Sequence, residues 1–211
     1  MTLYEDIDMR THEGQARSID VEEFQRVIDS INRDSRYPER DCAILYISYY
    51  AGLRACEIAG LNWEDIIDNL GEIKRTITLR KKTTKGNKGG IAYLAHPELR
   101  EALARHIVVN RLYSARTNAA PPELSGAIFL SKNGTRFSPS SMSRLFSKIY
   151  SNAGLEGATS HTGRRSLARN LNRNGVSIYN VQKVLRHANI SQTVRYIDVD
   201  EELLANIVST I

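Results

Sequence analysis

The stretch Ala51-Gly52-Leu53-Arg54-Ala55-Cys56-Glu57-Ile58-Ala59-Gly60-Leu61 sets one arginine and one glutamate inside an otherwise apolar run. Charged groups in such surroundings need partners. A carboxylate three residues after an arginine can hold the guanidinium in one orientation and leave its remaining donors to fork onto an oxyanion such as phosphate. By itself the pair reads more readily as a surface ion pair beside a buried helix. The rest of the chain has to choose between the two.

Just upstream, Asp41 to Tyr50 is almost uniformly apolar, which predicts a central helix capped by Gly52. Further back, Asp20 and Glu23 form a capping-box pattern. They open a helix whose Phe24, Val27, Ile28 and Ile31 make one stripe that ends before Tyr37-Pro38. Residues 1–17 show little apolar periodicity and read as a flexible lead-in. Downstream, Ile73 to Leu79 alternates and Ile91 to Leu94 resumes after a Lys/Gly-rich turn, predicting a β-hairpin or a three-stranded meander. Pro97 opens a helix carrying Leu99, Leu103, Ile107 and Val108, followed by a loop from Ser114 to Gly126 and a short run from Ala127 to Leu130. Pro139 opens another, with Met142, Leu145, Phe146 and Ile149 on one face. Two further helices, Arg164 to Asn174 and Ser177 to Leu185, are divided by Gly175, and an apolar patch of Leu203, Leu204, Ile207 and Val208 marks a terminal helix. The fold class expected is mainly α with a small antiparallel β-sheet, an α+β domain over residues 18–211.

Composition narrows the function. With 211 residues and 41% hydrophobic content, one well-buried domain can form without staples. Cys42 and Cys56 are too few for a disulfide framework and lack zinc-ligand spacing, so they read as small core residues in a reducing, cytoplasmic setting. No apolar run is long enough to span a bilayer, and no membrane partner is expected. Lys plus Arg exceed Asp plus Glu by 29 to 24, a net charge of +5. That excess is not evenly spread. The first 35 residues are acid-rich, whereas Lys74 to Lys88 and Arg164 to Arg186 are basic. Two cationic segments converging in space would line a groove for a nucleic-acid backbone.

Three more segments could carry chemistry. Thr84-Lys85-Gly86-Asn87-Lys88-Gly89-Gly90 presents a lysine on a turn, where it could serve as a general acid or be one of a solvated charge cluster. It is not a P-loop. His161-Thr162-Gly163-Arg164-Arg165 puts a histidine ahead of a helix and an arginine in its first turn, where both can address one phosphate. Leu185-Arg186-His187 through Val194-Arg195-Tyr196 places a histidine nine residues before one of the ten tyrosines.

Together, Arg-x-x-Glu after an apolar helix, Lys on a β-turn, His-x-x-Arg opening a helix, and His nine residues before Tyr occur in one order. That order and spacing resemble the tyrosine recombinase, or phage integrase, family, from about Arg17 to Val208. The resemblance implies that Arg54 and Arg164 clamp a scissile phosphate, that His161 and His187 supply hydrogen bonds or handle protons, and that Tyr196 attacks. It further implies Lys85 as the acid for the departing 5′ oxygen, with Lys88 as the alternative register, and Glu57 as the buttress of Arg54. The products would be a 3′-phosphotyrosine and a free 5′ hydroxyl on double-stranded DNA. No cofactor or ATP is implied, and the set lacks the clustered carboxylates that hold two Mg²⁺ ions. A homotetramer on DNA joined by exchange of the C-terminal helix is also expected from the resemblance.

The sequence departs from the commonest family pattern in two places. Gly163 and Arg165 stand where many members have Leu and His, a variant known among integrases, and Arg186 replaces the usual Gly before the second His. These departures bear on subfamily and local DNA contacts. Members usually carry a further N-terminal DNA-binding domain of about a hundred residues, so the chain reads as a fragment of a longer protein. Two other readings stay open at this point. One is a type IB topoisomerase, which shares the chemistry, and the other is a non-catalytic module using the helices from Arg164 to Leu185 to bind DNA.

Overall fold

The computed structural model describes residues 16–80, 89–117, 123–196 and 208–209. Helix α1 (Val21–Asp34) begins where the capping box predicts: Asp20 Oδ1 accepts from the Glu23 amide at 2.7 Å, and Glu23 accepts in return from the Asp20 amide at 3.2 Å. Its stripe of Phe24, Val27, Ile28 and Ile31 is buried, each side chain contributing about 1.5–3 kcal/mol relative to exposure. Helix α2 (Pro38–Tyr50) starts three residues earlier than its apolar run, because Pro38 is itself a good first-turn residue. It is the central element, buried from Asp41 to Tyr49 and packed by α1, α5 (Pro97–Thr117) and α7 (Thr162–Arg173). Phe24 stacks on Tyr49 at 3.9 Å between ring centroids, joining α1 to α2.

The chain leaves α2 through Gly52, whose φ of +61° favours glycine, and Arg54 then caps the short helix α3 (Ala55–Ala59). A second short helix, α4 (Trp63–Ile66), precedes the hairpin of β1 (Thr76–Leu79) and β2 (Gly90–Tyr93). Among the described residues the sheet has these two antiparallel strands alone, with Thr76 opposite Tyr93 and Leu79 opposite Gly90. Ile73, expected in the strand, instead forms an isolated bridge to Ile67. The hairpin turn with Lys85 and Lys88 lies outside the described residues, as do the lead-in through residue 15 and all of the terminal segment 197–207.

Helix α5 continues four residues into the predicted loop, and its Val108 is exposed while Leu99, Leu103 and Ile107 are buried. The run Ala127 to Leu130 is tied by single bridges, Asn62 to Ala127 and Leu130 to Arg136, and forms no strand. Helix α6 (Pro139–Asn152) buries Met142, Phe146 and Ile149 as its pattern requires. Helices α8 (Ile178–Leu185) and α9 (Ile190–Val194) complete the described chain. A small cluster of Ala168, Val181 and Leu185 holds α7 to α8, and the Tyr196 side chain packs against it. Cys42 is buried and Cys56 half-buried, both with free thiols. No helix among the described residues is long and apolar enough to cross a membrane.

Candidate active site

The site is built on the close approach of α7 to α2. A Cβ on Gly163 would stand 2.8 Å from Ser48 Oγ and 3.1 Å from two backbone atoms, the Ser48 carbonyl carbon and the Tyr49 nitrogen. Two of those three atoms are backbone and cannot rotate away. The glycine therefore lets α7 lie directly on α2, which brings Arg164 beneath the turn at Gly52.

Arg164 is fully buried, donating through Nη1 to the Gly52 carbonyl and through Nη2 to the Leu185 carbonyl, while its Nε is buried without a partner. Burial, with Arg54 and Arg186 nearby, lowers its pKa to about 9, so it stays charged at neutral pH. Arg54 sits at the end of the same turn. Its amide and Nη1 donate to the two oxygens of Glu57 at 2.8 and 2.9 Å, which realises the buttress expected from Arg-x-x-Glu. The Glu57 side chain is completely enclosed. Burial, the largest influence, would raise its pKa, but Arg186, the Arg54 amide, Arg54 and Arg164 outweigh it and hold the carboxyl below its ordinary value.

The second histidine follows α8. His187 is buried, with Nδ1 2.9 Å from Thr193 Oγ1 on α9, and its ring meets that of Tyr196 edge-on at 5.1 Å. Burial and the charges of Arg164, Arg54 and Arg186 depress its pKa to about 3, so the imidazole is neutral at physiological pH. His161 is exposed at the start of α7. Arg54, Glu57, His161, Arg186, His187 and Tyr196 all line one cleft of about 940 Å³.

Of the residues singled out in the sequence, Arg54, Glu57, His161, His187 and Tyr196 thus share a cleft, and Arg164 lies under its floor instead of on its wall. Lys85 and Lys88 fall outside the described residues; Gly89, next to them in the chain, reaches the cleft edge. Sequence reasoning missed three contributors: the Gly52 carbonyl, which accepts from two arginines, Thr193, which orients His187, and Arg186, whose guanidinium joins Glu57 at 3.1 Å. Arg186 alone left a sequence signal, a long cationic side chain where glycine is usual. The arrangement gathers three guanidinium groups around one carboxylate, a surplus of positive charge suited to an anion that also lies within reach of a tyrosine.

Residues 17–202 match the model of the phage integrase family. Similar proteins include the tyrosine recombinase XerC of Vibrio atlanticus, 31% identical over 190 residues that cover 90% of this chain and 56% of that protein. A XerC of Natranaerobius thermophilus is 31% identical over 194 residues, covering 90% and 60%. The chain thus spans less than two thirds of the length of these relatives. Among solved structures, the fold resembles the XerA recombinase, with a TM-score of 0.70 at 24% identity, covering 92% of this chain and 64% of that one. It also resembles a lambda integrase dimer bound to a COC′ core site, with a TM-score of 0.62 at 16% identity, covering 87% and 49%.

Proposed function

The chain belongs to the phage integrase family, and on that premise we propose that it is the catalytic domain of a site-specific DNA recombinase that cuts and rejoins strands through a 3′-phosphotyrosine at Tyr196. The observation carrying this reading is convergence: a tyrosine, two histidines and two arginines, far apart in the chain, line one cleft, and a third arginine, Arg164, lies beneath its floor.

A phosphodiester is protected from attack by its charge, and attack adds a second charge at phosphorus. Preorganised donors around that developing charge are worth about 3 kcal/mol each. Arg54, with Nη1 engaged by Glu57, keeps other donors for a phosphate oxygen. Arg164 works from below by charge through a low-dielectric floor, held there by the Gly52 and Leu185 carbonyls. His161, at the mouth of α7, adds a further hydrogen bond.

In the cleavage step the Tyr196 oxygen bonds to phosphorus, its proton passes to His187, and the bond from phosphorus to the 5′ oxygen breaks as Lys85 donates a proton to that oxygen. Burial and then the arginine charges depress His187, and a phosphate seated among the arginines offsets the second of these, which favours proton uptake by the base. The phosphotyrosine conserves the bond energy, so rejoining to a second 5′ hydroxyl needs neither ATP nor metal. In the same reading the protein acts in the cytoplasm on double-stranded DNA, as a tetramer joined by exchange of the helix around Leu203 to Val208.

The test is a nicked suicide substrate that loses its 5′ fragment on cleavage and traps the adduct. Wild type should form a covalent protein–DNA band and Tyr196→Phe none; an undiminished band from the variant would refute the assignment. With a sulfur in place of the bridging 5′ oxygen, a leaving group that needs no acid, Lys85→Ala should recover while Arg54→Ala should not.

A further inference from the structure

Arg186 adopts a backbone conformation that side chains other than glycine rarely take. It is the C-cap of α8 at φ +54° and ψ +42°, and it is the sole non-glycine residue with positive φ among the described residues. A glycine would sit there without strain. Something specific to the arginine side chain has to offset that strain, and the structure shows what it touches.

The side chain is 8% exposed. Its Nη2 donates to the Gly52 carbonyl at 3.0 Å and to Glu57 Oε2 at 3.1 Å, and Nη1 donates to the Val184 carbonyl at 3.0 Å. Its stem passes so close under Gly90 that a Cβ there would lie 2.8 Å from the Arg186 Cδ. Glu57 is therefore gripped on both oxygens, by Arg54 Nη1 at Oε1 and by the Arg54 amide and Arg186 Nη2 at Oε2. The Gly52 carbonyl is likewise shared, between Arg164 and Arg186. One guanidinium connects the partner of Arg54 with the partner of Arg164, immediately before His187 in the chain and directly beneath the strand that returns from the lysine-bearing turn.

We infer that Arg186 is a positioning residue for strand cleavage, which fixes Glu57 and the Gly52 carbonyl and so holds Arg54 and Arg164 at one separation. The inference rests on the reading of Tyr196 as nucleophile. Arg54 holds both oxygens of Glu57 through its own amide and Nη1, so without Arg186 the carboxylate is tied by side chain only to the residue it orients; Arg186 adds a bond at Oε2 from a second segment of the chain and ties the pair to the Gly52 and Val184 carbonyls. Arg186 lines the cleft, but its Nη1 and Nη2 bonds are to Val184, Gly52 and Glu57, so a positioning role places its effect in the rate of the bound complex more than in affinity for DNA. Lysine, with a single nitrogen in place of the fork, cannot span Val184, Gly52 and Glu57 together.

The experiment compares wild type, Arg186→Gly and Arg186→Lys. Glycine suits the backbone at this position, so the variant should melt cooperatively and fold. On the suicide substrate at saturating DNA, Arg186→Gly should form adduct about 10- to 100-fold more slowly, as expected for misplacement of a reacting group by a fraction of an ångström to 1 Å. Its equilibrium affinity for the same duplex should change less than about threefold, and Arg186→Lys should fall between the two in rate. In the Glu57→Gln background the Arg186→Gly effect should shrink, since the share that acts through the carboxylate is already disturbed while the share through the Gly52 carbonyl remains. A wild-type rate in Arg186→Gly, a loss of affinity matching the loss of rate, or an undiminished effect in the Glu57→Gln background would each overturn the inference. A second readout needs no cleavage: the Arg54 side-chain Nε–H resonance, in uniformly labelled protein without DNA, should shift or broaden in Arg186→Gly. An unchanged resonance would also overturn it. Failure of wild type to form any adduct would instead refute the nucleophile assignment, leaving the resonance to decide the role of Arg186.

Discussion

Replacing Glu57 with glutamine preserves shape and removes one charge from the best-enclosed ion pair of the site. The carboxylate accepts three described hydrogen bonds: Arg54 Nη1 at Oε1, and the Arg54 amide and Arg186 Nη2 at Oε2. Glutamine has a single acceptor oxygen. Placed at Oε2 it keeps two of those bonds but points its own NH₂ at Arg54 Nη1, a donor facing a donor, and Arg54 must swing away. Three guanidinium groups then share the site with no carboxylate. Breaking a buried pair on one side costs about 3–5 kcal/mol, and the lower end applies because Arg54, 19% exposed, can turn to water. For a chain of this size about 3 kcal/mol corresponds to a melting temperature lower by about 6–12 °C. The pH dependence has a definite sign. Since the folded carboxyl titrates below its ordinary value, its stabilisation is fully present above the unfolded pKa and is lost as pH falls through the folded one. The gap between wild type and Glu57→Gln should therefore be widest near neutrality and close on acidification below about pH 4.5. Calorimetry from pH 7 to pH 3.5 reads both quantities. A variant melting within about 2 °C of wild type at pH 7, or a gap independent of pH, would refute the buried-buttress argument.

Two other perturbations test the scaffold. Gly163→Ala places a methyl against the Ser48 and Tyr49 backbone and should destabilise by about 1–3 kcal/mol in denaturant titration with unchanged m-value; wild-type stability would mean that α7 can slide on α2. For His187→Gln, the folded imidazole at about 3 resists a proton that the unfolded chain takes up near pH 6.5, so wild type loses stability relative to the variant as pH falls from about 6.5 toward 3. Melting at pH 7.5 and pH 5 should show the wild-type advantage shrinking, and a constant difference would count against a neutral buried His187.

Much of the fold was legible because it rests on local signals. The capping box at Asp20, the stripes of α1 and α6 and the apolar run of α2 follow the helical period, and each helix formed within a few residues of its expected place. The errors came where a neighbour, not the local pattern, decides. Ile73, expected in the strand, finds only a single bridging partner in Ile67, and Val108, next to buried Ile107, faces outward because no described element covers that side of α5. The short helices α3, α4 and α9 were not legible as helices, since stretches of four or five residues depend on tertiary contacts for their stability.

Chain order alone determined the candidate set. Arg54, Glu57, Lys85, His161, Arg164, His187 and Tyr196 could be picked out because their order and spacing resemble the tyrosine recombinase pattern, and the pairing of Arg54 with Glu57 across one turn is a local property. Which of them face the cleft and which lie beneath it was decided only by the tertiary structure. Gly163 lets two helices touch, and that contact drives Arg164 under the floor and aims the Gly52 carbonyl at two guanidinium groups. Arg186 shows the division most clearly. In the sequence it is a departure from a pattern, whereas in the fold it closes a network between residues 52, 57 and 184, because burial turns a solvated cation into one that must find every partner within the protein.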